Sequence, residues 1–135
     1  MVPIVLVMHA PLAAAFAQCA EHVLGGTGSR LHVVDITPDA DVEQESDRLS
    51  RMLMQFQPSG SLVLCDLYGA TPCNIARRAV VHANEHGVPA CMLTGANLYM
   101  VLKALTDPAD SPDELCAGIR ARILRGIVGP ENTAE

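Results

Sequence analysis

His9 closes the apolar run at residues 2–8 and stands just ahead of Pro11, so it falls where a buried strand hands over to a helix. Open α/β sheets bind their ligands at such strand ends, beside helix N-termini. A neutral imidazole there can attack a phosphoryl group through one ring nitrogen while the other keeps the proton. Asp66 lies near the end of another apolar run. A carboxylate accepting the second ring N–H fixes the tautomer and stabilises the positive charge that develops as the first nitrogen is phosphorylated.

The residues that follow Asp66 supply the other half of such a site. In Cys65-Asp66-Leu67-Tyr68-Gly69-Ala70-Thr71-Pro72-Cys73-Asn74, a strand end, a turn and a helix start fall within one short segment. Gly69 can take backbone angles closed to other residues. From Thr71 to Asn74 a helix begins whose free N–H groups point back toward the strand ends. Gly69, Thr71 and Cys73 therefore form a candidate phosphate cradle, with the Thr71 hydroxyl and the positive helix end as further attractions. The same residues have plainer uses. A strand-end histidine often packs or lies on the surface, an aspartate there often caps a turn, and Thr-Pro opens many helices with Thr as the cap. On residues alone both readings stand.

Four apolar runs, at residues 2–8, 31–36, 61–67 and 88–94, have the near-continuous apolarity of parallel strands covered on both faces. Helical spacing fills the gaps. Leu12, Phe16, Cys19 and Val23 mark a first helix ending at Gly25 and Gly26; Val42, Leu49, Leu53 and Phe56 mark a second. Ile75, Ala79, Val80 and Ala83 mark a third, and Leu98, Val101, Leu102 and Leu105 a fourth, with Asn97 as its cap. Ser111 to Glu114 form a capping box for a fifth through Leu115, Ile119 and Ile123. This alternation predicts an α/β fold: a doubly wound, mainly parallel sheet of order 2-1-3-4 with helices on both faces, and residues 126–128 as a short C-terminal edge strand. The switch point falls between strands 1 and 3, which carry His9 and Asp66. Residues 1–128 form one domain and 129–135 a polar tail.

Composition removes other functions. The 135 residues suit a single core, and no apolar run approaches the ~20 residues of a membrane span. Residues 1–8 have neither a preceding basic region nor a cleavage site, so they read as a strand, with the protein cytoplasmic. A net charge of −6, a single lysine and two tyrosines and two phenylalanines without tryptophan argue against nucleic-acid binding. Five cysteines without a Cys-x-x-Cys pair read as small hydrophobes in a reducing compartment. His82 and His86 have metal spacing but no third ligand, and Gly-x-Gly-x-x-Gly and Walker sequences are absent. No metal and no cofactor is expected.

The motifs around His9, from Asp66 to Asn74, and at Thr94-Gly95-Ala96-Asn97-Leu98-Tyr99-Met100 resemble the enzyme IIA component of the mannose-type, phosphoenolpyruvate-dependent sugar phosphotransferase system. The family's stretches are similar to His-Gly, Asp-Leu-Phe-Gly-Gly-Ser-Pro-Phe-Asn and Gly-Val-Asn-Leu-Pro-Met. Ala10 stands in place of the first glycine, Ala70 in place of the turn's second glycine and Tyr99 in place of the proline. The resemblance implies a phosphotransferase. The histidine matching His9 takes a phosphoryl group from the histidine-containing phosphocarrier protein and passes it to an enzyme IIB, in sugar uptake or regulation. It also implies that Asp66 bonds the imidazole, that Thr71 helps bind phosphate, and that a homodimer exchanges a C-terminal strand, a role for residues 126–128. Two alternatives are a phosphoryl-relay subunit of a dihydroxyacetone kinase and a non-catalytic module that binds an anion in the cradle.

Overall fold

The structure, a computed structural model of the chain, describes residues 1–132. The last residues of the expected tail, 133–135, lie outside the described residues. Four parallel strands, β1 (Ile4–His9), β2 (Leu31–Ile36), β3 (Ser61–Cys65) and β4 (Ala90–Leu93), pair in the order β2-β1-β3-β4. They alternate with α1 (Leu12–Leu24), α2 (Val42–Met54), α3 (Thr71–Glu85) and α4 (Leu98–Thr106), and α5 (Pro112–Arg122) follows. The α/β doubly wound architecture read from the sequence is the one observed.

β1 explains the sheet. Ile4, Val5, Leu6, Val7 and Met8 are all fully buried, because strands pair on both sides and helices cover both faces. Its side chains still alternate. Val5 and Val7 join the core under α2 and α3, with Leu49, Leu53, Ile75 and Ala79. Ile4, Leu6 and Met8 join the core under α1, α4 and α5, with Ala13, Ala20, Val101 and Leu115. Each of the Val, Leu, Ile and Met side chains contributes roughly 1.5–3 kcal/mol by leaving water. Below the sheet, the buried Arg30 ties the start of the chain to the end of α4, donating from Nε to the Val2 carbonyl and from Nη1 to the Leu105 carbonyl, each at 2.8 Å.

Several expectations shift. α1 turns Ala13 and Ala20 inward, with Phe16 half-buried, whereas Leu12 and Val23 of the expected stripe face out. Alanines let the helix backbone approach the sheet closely, so the small residues, not the large ones, mark the buried face. β3 ends at Cys65 rather than at residue 67, because the Asp66 carboxylate accepts the Leu67 N–H and starts a turn there. Residues 126–128 form no strand within this chain: Ile123–Gly126 is a 3₁₀ turn, and the Ile127 N–H donates to the Leu124 carbonyl instead of to a neighbouring strand. Cys65 and Cys73 are buried as expected, but Cys91 and Cys116 are half-buried and Cys19 is exposed.

Candidate functional site

Sheet order brings the ends of β1 and β3 together. His9 is the last residue of β1, opposite Ile36 of β2, and the next N–H, of Ala10, donates to the Ile36 carbonyl. Asp66 follows β3 directly. Its Oδ2 accepts the His9 backbone N–H at 3.0 Å and meets the His9 ring at Nδ1 at 2.7 Å; its Oδ1 accepts the Leu67 N–H at 3.0 Å. The carboxylate thus holds both the main chain and the side chain of His9.

Charge and tautomer follow from these contacts. Burial of Asp66 opposes ionisation, but the hydrogen bond from the His9 N–H, then that from the imidazole, then the local amide and the ring's charge outweigh it, and its pKa lies below the ordinary carboxylate value. An ionised carboxylate only accepts, so Nδ1 carries a proton, and in the neutral form of the ring the lone pair is on Nε2. The Asp66 side chain is 9% exposed and that of His9 50%. The carboxylate is therefore sheltered while half of the imidazole side chain is open to solvent. The neighbouring thiol of Cys65 is pushed far up, first by burial and then by Cys73 and Asp66, so it stays protonated and unreactive.

A cleft of about 370 Å³ opens beside His9, between the β2–α2 connection and the start of α3, lined among others by Thr37, Pro38, Val42, Thr71 and Pro72. Thr71 is the first residue of α3 rather than its cap. Ala70 takes the cap position and makes no side-chain cap bond. The turn before it needs one left-handed residue, Gly69 at φ +83°, which shortens the chain so that the helix can begin pointing at the strand ends. Ala70 has φ −83° and ψ 171°, and neither it nor Ala10 has a positive φ. Alanine is thus accommodated at both places where the resembling family has glycine.

The first free amides of α3 belong to Thr71 and Cys73, because Pro72 has none and the Asn74 N–H already donates to the Ala70 carbonyl. No acidic residue lies in that first turn. The Cys73 side chain is buried in the core, so only its backbone amide is available at the helix start. His9, Asp66, Gly69, Thr71 and Cys73 are all at one end of the sheet, and the arrangement can hold a tetrahedral anion against an oriented imidazole.

Other sequence candidates fall elsewhere. Asn97 caps α4 by accepting the Met100 N–H, and Thr94 and Gly95 line a separate groove with Tyr68. His82 and His86 stack at 4.1 Å between ring centres on α3. Among the described residues no group of three or more His, Cys, Asp or Glu is arranged to hold a metal, and no helix is long and apolar enough to cross a membrane. Two features escaped the sequence reading. Leu67 and Tyr68, 58% and 81% exposed, project from the turn; two large apolar residues inside a turn were their signal. Asp35, an acid set one residue before the end of an apolar run, donates nothing to the core; its carboxylate accepts the Ala13 and Ala14 N–H groups of α1.

Known proteins share this family and fold. The family described as "PTS system fructose IIA component" (EIIA-man) matches residues 3–116. The sorbose-specific EIIA component of the PTS system of Lacticaseibacillus casei is 28% identical over 101 residues, 75% of this chain and 72% of that protein. The mannose/sorbose specific IIA subunit of the phosphotransferase system from Enterococcus faecalis superposes with a TM-score of 0.78 at 25% identity, covering 100% of this chain and 98% of the other. The phosphotransferase system component EIIA from Streptococcus agalactiae gives 0.84 at 23% identity over 96% and 97% of the two chains, which speaks for the fold.

Proposed function

Because the chain belongs to the mannose-type IIA family of the phosphotransferase system, we propose that it is a phosphocarrier whose His9 accepts and returns a phosphoryl group. The observation that carries this reading is the Asp66 clamp on Nδ1, which leaves Nε2 as the free nucleophile beside uncapped α3 amides. The donor is the histidine-containing phosphocarrier protein and the acceptor an enzyme IIB, in sugar uptake or its regulation.

The step needs no external proton. Nε2 of neutral His9 attacks phosphorus, the N–P bond of the donor's protonated phosphoimidazole breaks, and the donor ring leaves as neutral imidazole with the electron pair of that bond. His9 becomes a phosphoimidazolium that keeps its Nδ1 proton, and Asp66 balances the new positive charge. The Thr71 and Cys73 amides and the Thr71 hydroxyl receive the phosphoryl oxygens. Transfer to the enzyme IIB reverses the same events, so neither direction is strongly favoured.

The protein works in the cytoplasm as a homodimer whose C-terminal segment lies against the other copy. Support comes from Leu124, Ile127 and Val128, which are 74%, 64% and 54% exposed after α5, and from β4, an outer strand with a free edge. The test of the phosphocarrier reading is incubation with phosphoenolpyruvate, enzyme I and the histidine-containing phosphocarrier. An acid-labile, alkali-stable modification, present in the parent and absent in His9→Ala, is expected; its absence in the parent, or its persistence in the variant, overturns the reading.

A further inference from the structure

The helices that begin beside His9 differ in what meets their first amides. α2 has its own carboxylates: Asp41 caps it by accepting the Gln44 N–H, and Glu43 and Glu45 lie in its first turn. α3 has neither a side-chain cap nor an acid. α1 also lacks a local cap, with Pro11 in the cap position making no side-chain bond and no acid in the first turn. Its amides are instead met from the next strand. Asp35 lies opposite Met8 in the β1–β2 register, on the sheet face that α1 covers. Oδ1 accepts the Ala13 N–H at 2.8 Å and Oδ2 the Ala14 N–H at 3.1 Å. Among the described residues no Lys, Arg or His pairs with Asp35, so its charge is directed at the helix end.

Without that carboxylate α1 would begin as Leu12, Ala13 and Ala14 with free donors, ahead of the Ala15 N–H that donates to the Pro11 carbonyl, and with a positive end a few residues from the imidazole. A phosphoryl dianion is drawn to such an end as readily as to that of α3. The β1–α1 connection is thus held to β2 from both ends, by the Ala10 N–H to Ile36 carbonyl bond where it leaves β1 and by the Asp35 bonds in the first turn of α1.

We propose that Asp35 is a positioning residue for phosphoryl transfer: by closing the N-terminus of α1 from the neighbouring strand, it steadies the connection that follows His9 and directs the phosphoryl group to the α3 amides. This rests on the reading of His9 as the acceptor. The effect is electrostatic as well as geometric, which separates it from an ordinary cap. A cap stabilises its own helix. Asp35 in addition places a negative charge at the α1 end, so that of the two ends only that of α3, on the side of the His9 ring, is open to an anion.

The test uses Asp35→Ala and Asp35→Asn beside the parent, with inorganic phosphate as the probe and backbone amide NMR signals as the readout. In the parent, phosphate is expected to shift Thr71 and Cys73 and to leave Ala13 and Ala14 in place. In Asp35→Ala it shifts Ala13 and Ala14 as well, and phosphotransfer from the donor protein slows about tenfold. Asp35→Asn keeps one acceptor oxygen without the charge, so it melts closer to the parent while retaining the phosphate response at Ala13 and Ala14. Should Asp35→Ala fail to fold, Asp35→Asn gives the same readout. Lower melting temperatures with phosphate still confined to Thr71 and Cys73, or unchanged transfer in folded variants, overturn the proposal. The phosphate map needs no phosphohistidine. If the map changes as expected but the parent is never phosphorylated on His9, the phosphocarrier reading fails separately.

Discussion

The starts of α1 and α3 stand at the same end of the sheet, each after a strand that delivers a site residue, and they are finished in opposite ways. α1 follows His9 and is closed by two bonds to the Asp35 carboxylate. α3 follows Asp66 and is preceded by an alanine with no side-chain bond, leaving the Thr71 and Cys73 amides without an acceptor among the described residues. A missing cap costs a helix about 1 kcal/mol. Under the proposed function, that cost at α3 leaves donors for a ligand, so that stability and function would divide the same structural resource between them.

The sharpest way to break this contrast is to give α3 the carboxylate that α1 has. Ala70 already has the extended backbone of a cap residue, so Ala70→Asp should raise thermal stability by roughly 0.5–1 kcal/mol. Phosphotransfer should fall by about two to three orders of magnitude, because a negative charge then occupies the cradle. Calorimetry and a transfer assay on the same sample check both signs; a stabilised protein that still transfers at the parental rate would remove the basis of the contrast.

Asp66→Asn tests the other wall of the site. Loss of the orienting carboxylate should slow transfer by roughly 10- to 100-fold. The pH dependence has a definite sign. The pKa of Asp66 is lower in the folded chain than its ordinary value, so its contribution to stability is present above about pH 4 and is lost as pH falls through the folded value. Denaturation curves of parent and Asp66→Asn should therefore differ at neutral pH and converge in acid. Curves that stay parallel from neutral pH into acid would show that the clamp does not depend on charge.

Smaller changes sharpen the comparison. Thr71→Ala should reduce transfer about tenfold, the equivalent of one hydrogen bond to a charged group, with little change in melting, since the hydroxyl caps nothing. A melting temperature that drops as far as for a lost cap would return Thr71 to a structural role. Gly69→Ala meets no steric neighbour but must hold φ +83°, so it should lose about 1 kcal/mol in chemical denaturation. Its transfer rate should fall less than that of Thr71→Ala.

Much of this was legible in the residues. The four apolar runs fixed the strands because parallel strands need apolar side chains on both faces, and the crossover rules then placed His9 next to Asp66. What remained hidden depends on contacts distant in sequence or on size rather than polarity. The cap of α1 comes from a strand 21 to 22 residues further on, out of reach of any local capping pattern. The inner face of α1 is marked by Ala13 and Ala20, which hydrophobic spacing weighs less than Leu12 or Val23. Thr71 looked like a cap because Thr-Pro opens helices, but the turn at Gly69 moves the boundary one residue earlier.

The alternation along β1 makes the position of the imidazole a matter of parity. Val5, Val7 and His9 are odd-numbered and point to the side of α2 and α3; Ile4, Leu6 and Met8 are even-numbered and point to the side of α1. One residue added or removed within this strand would leave its composition almost unchanged and its hydrophobicity intact. It would nevertheless carry the ring across the sheet, away from the Thr71 cleft and toward the face where Asp35 already occupies the helix end. Under the proposed function, the parity of β1 is thus itself part of the site, written in length rather than in side chains.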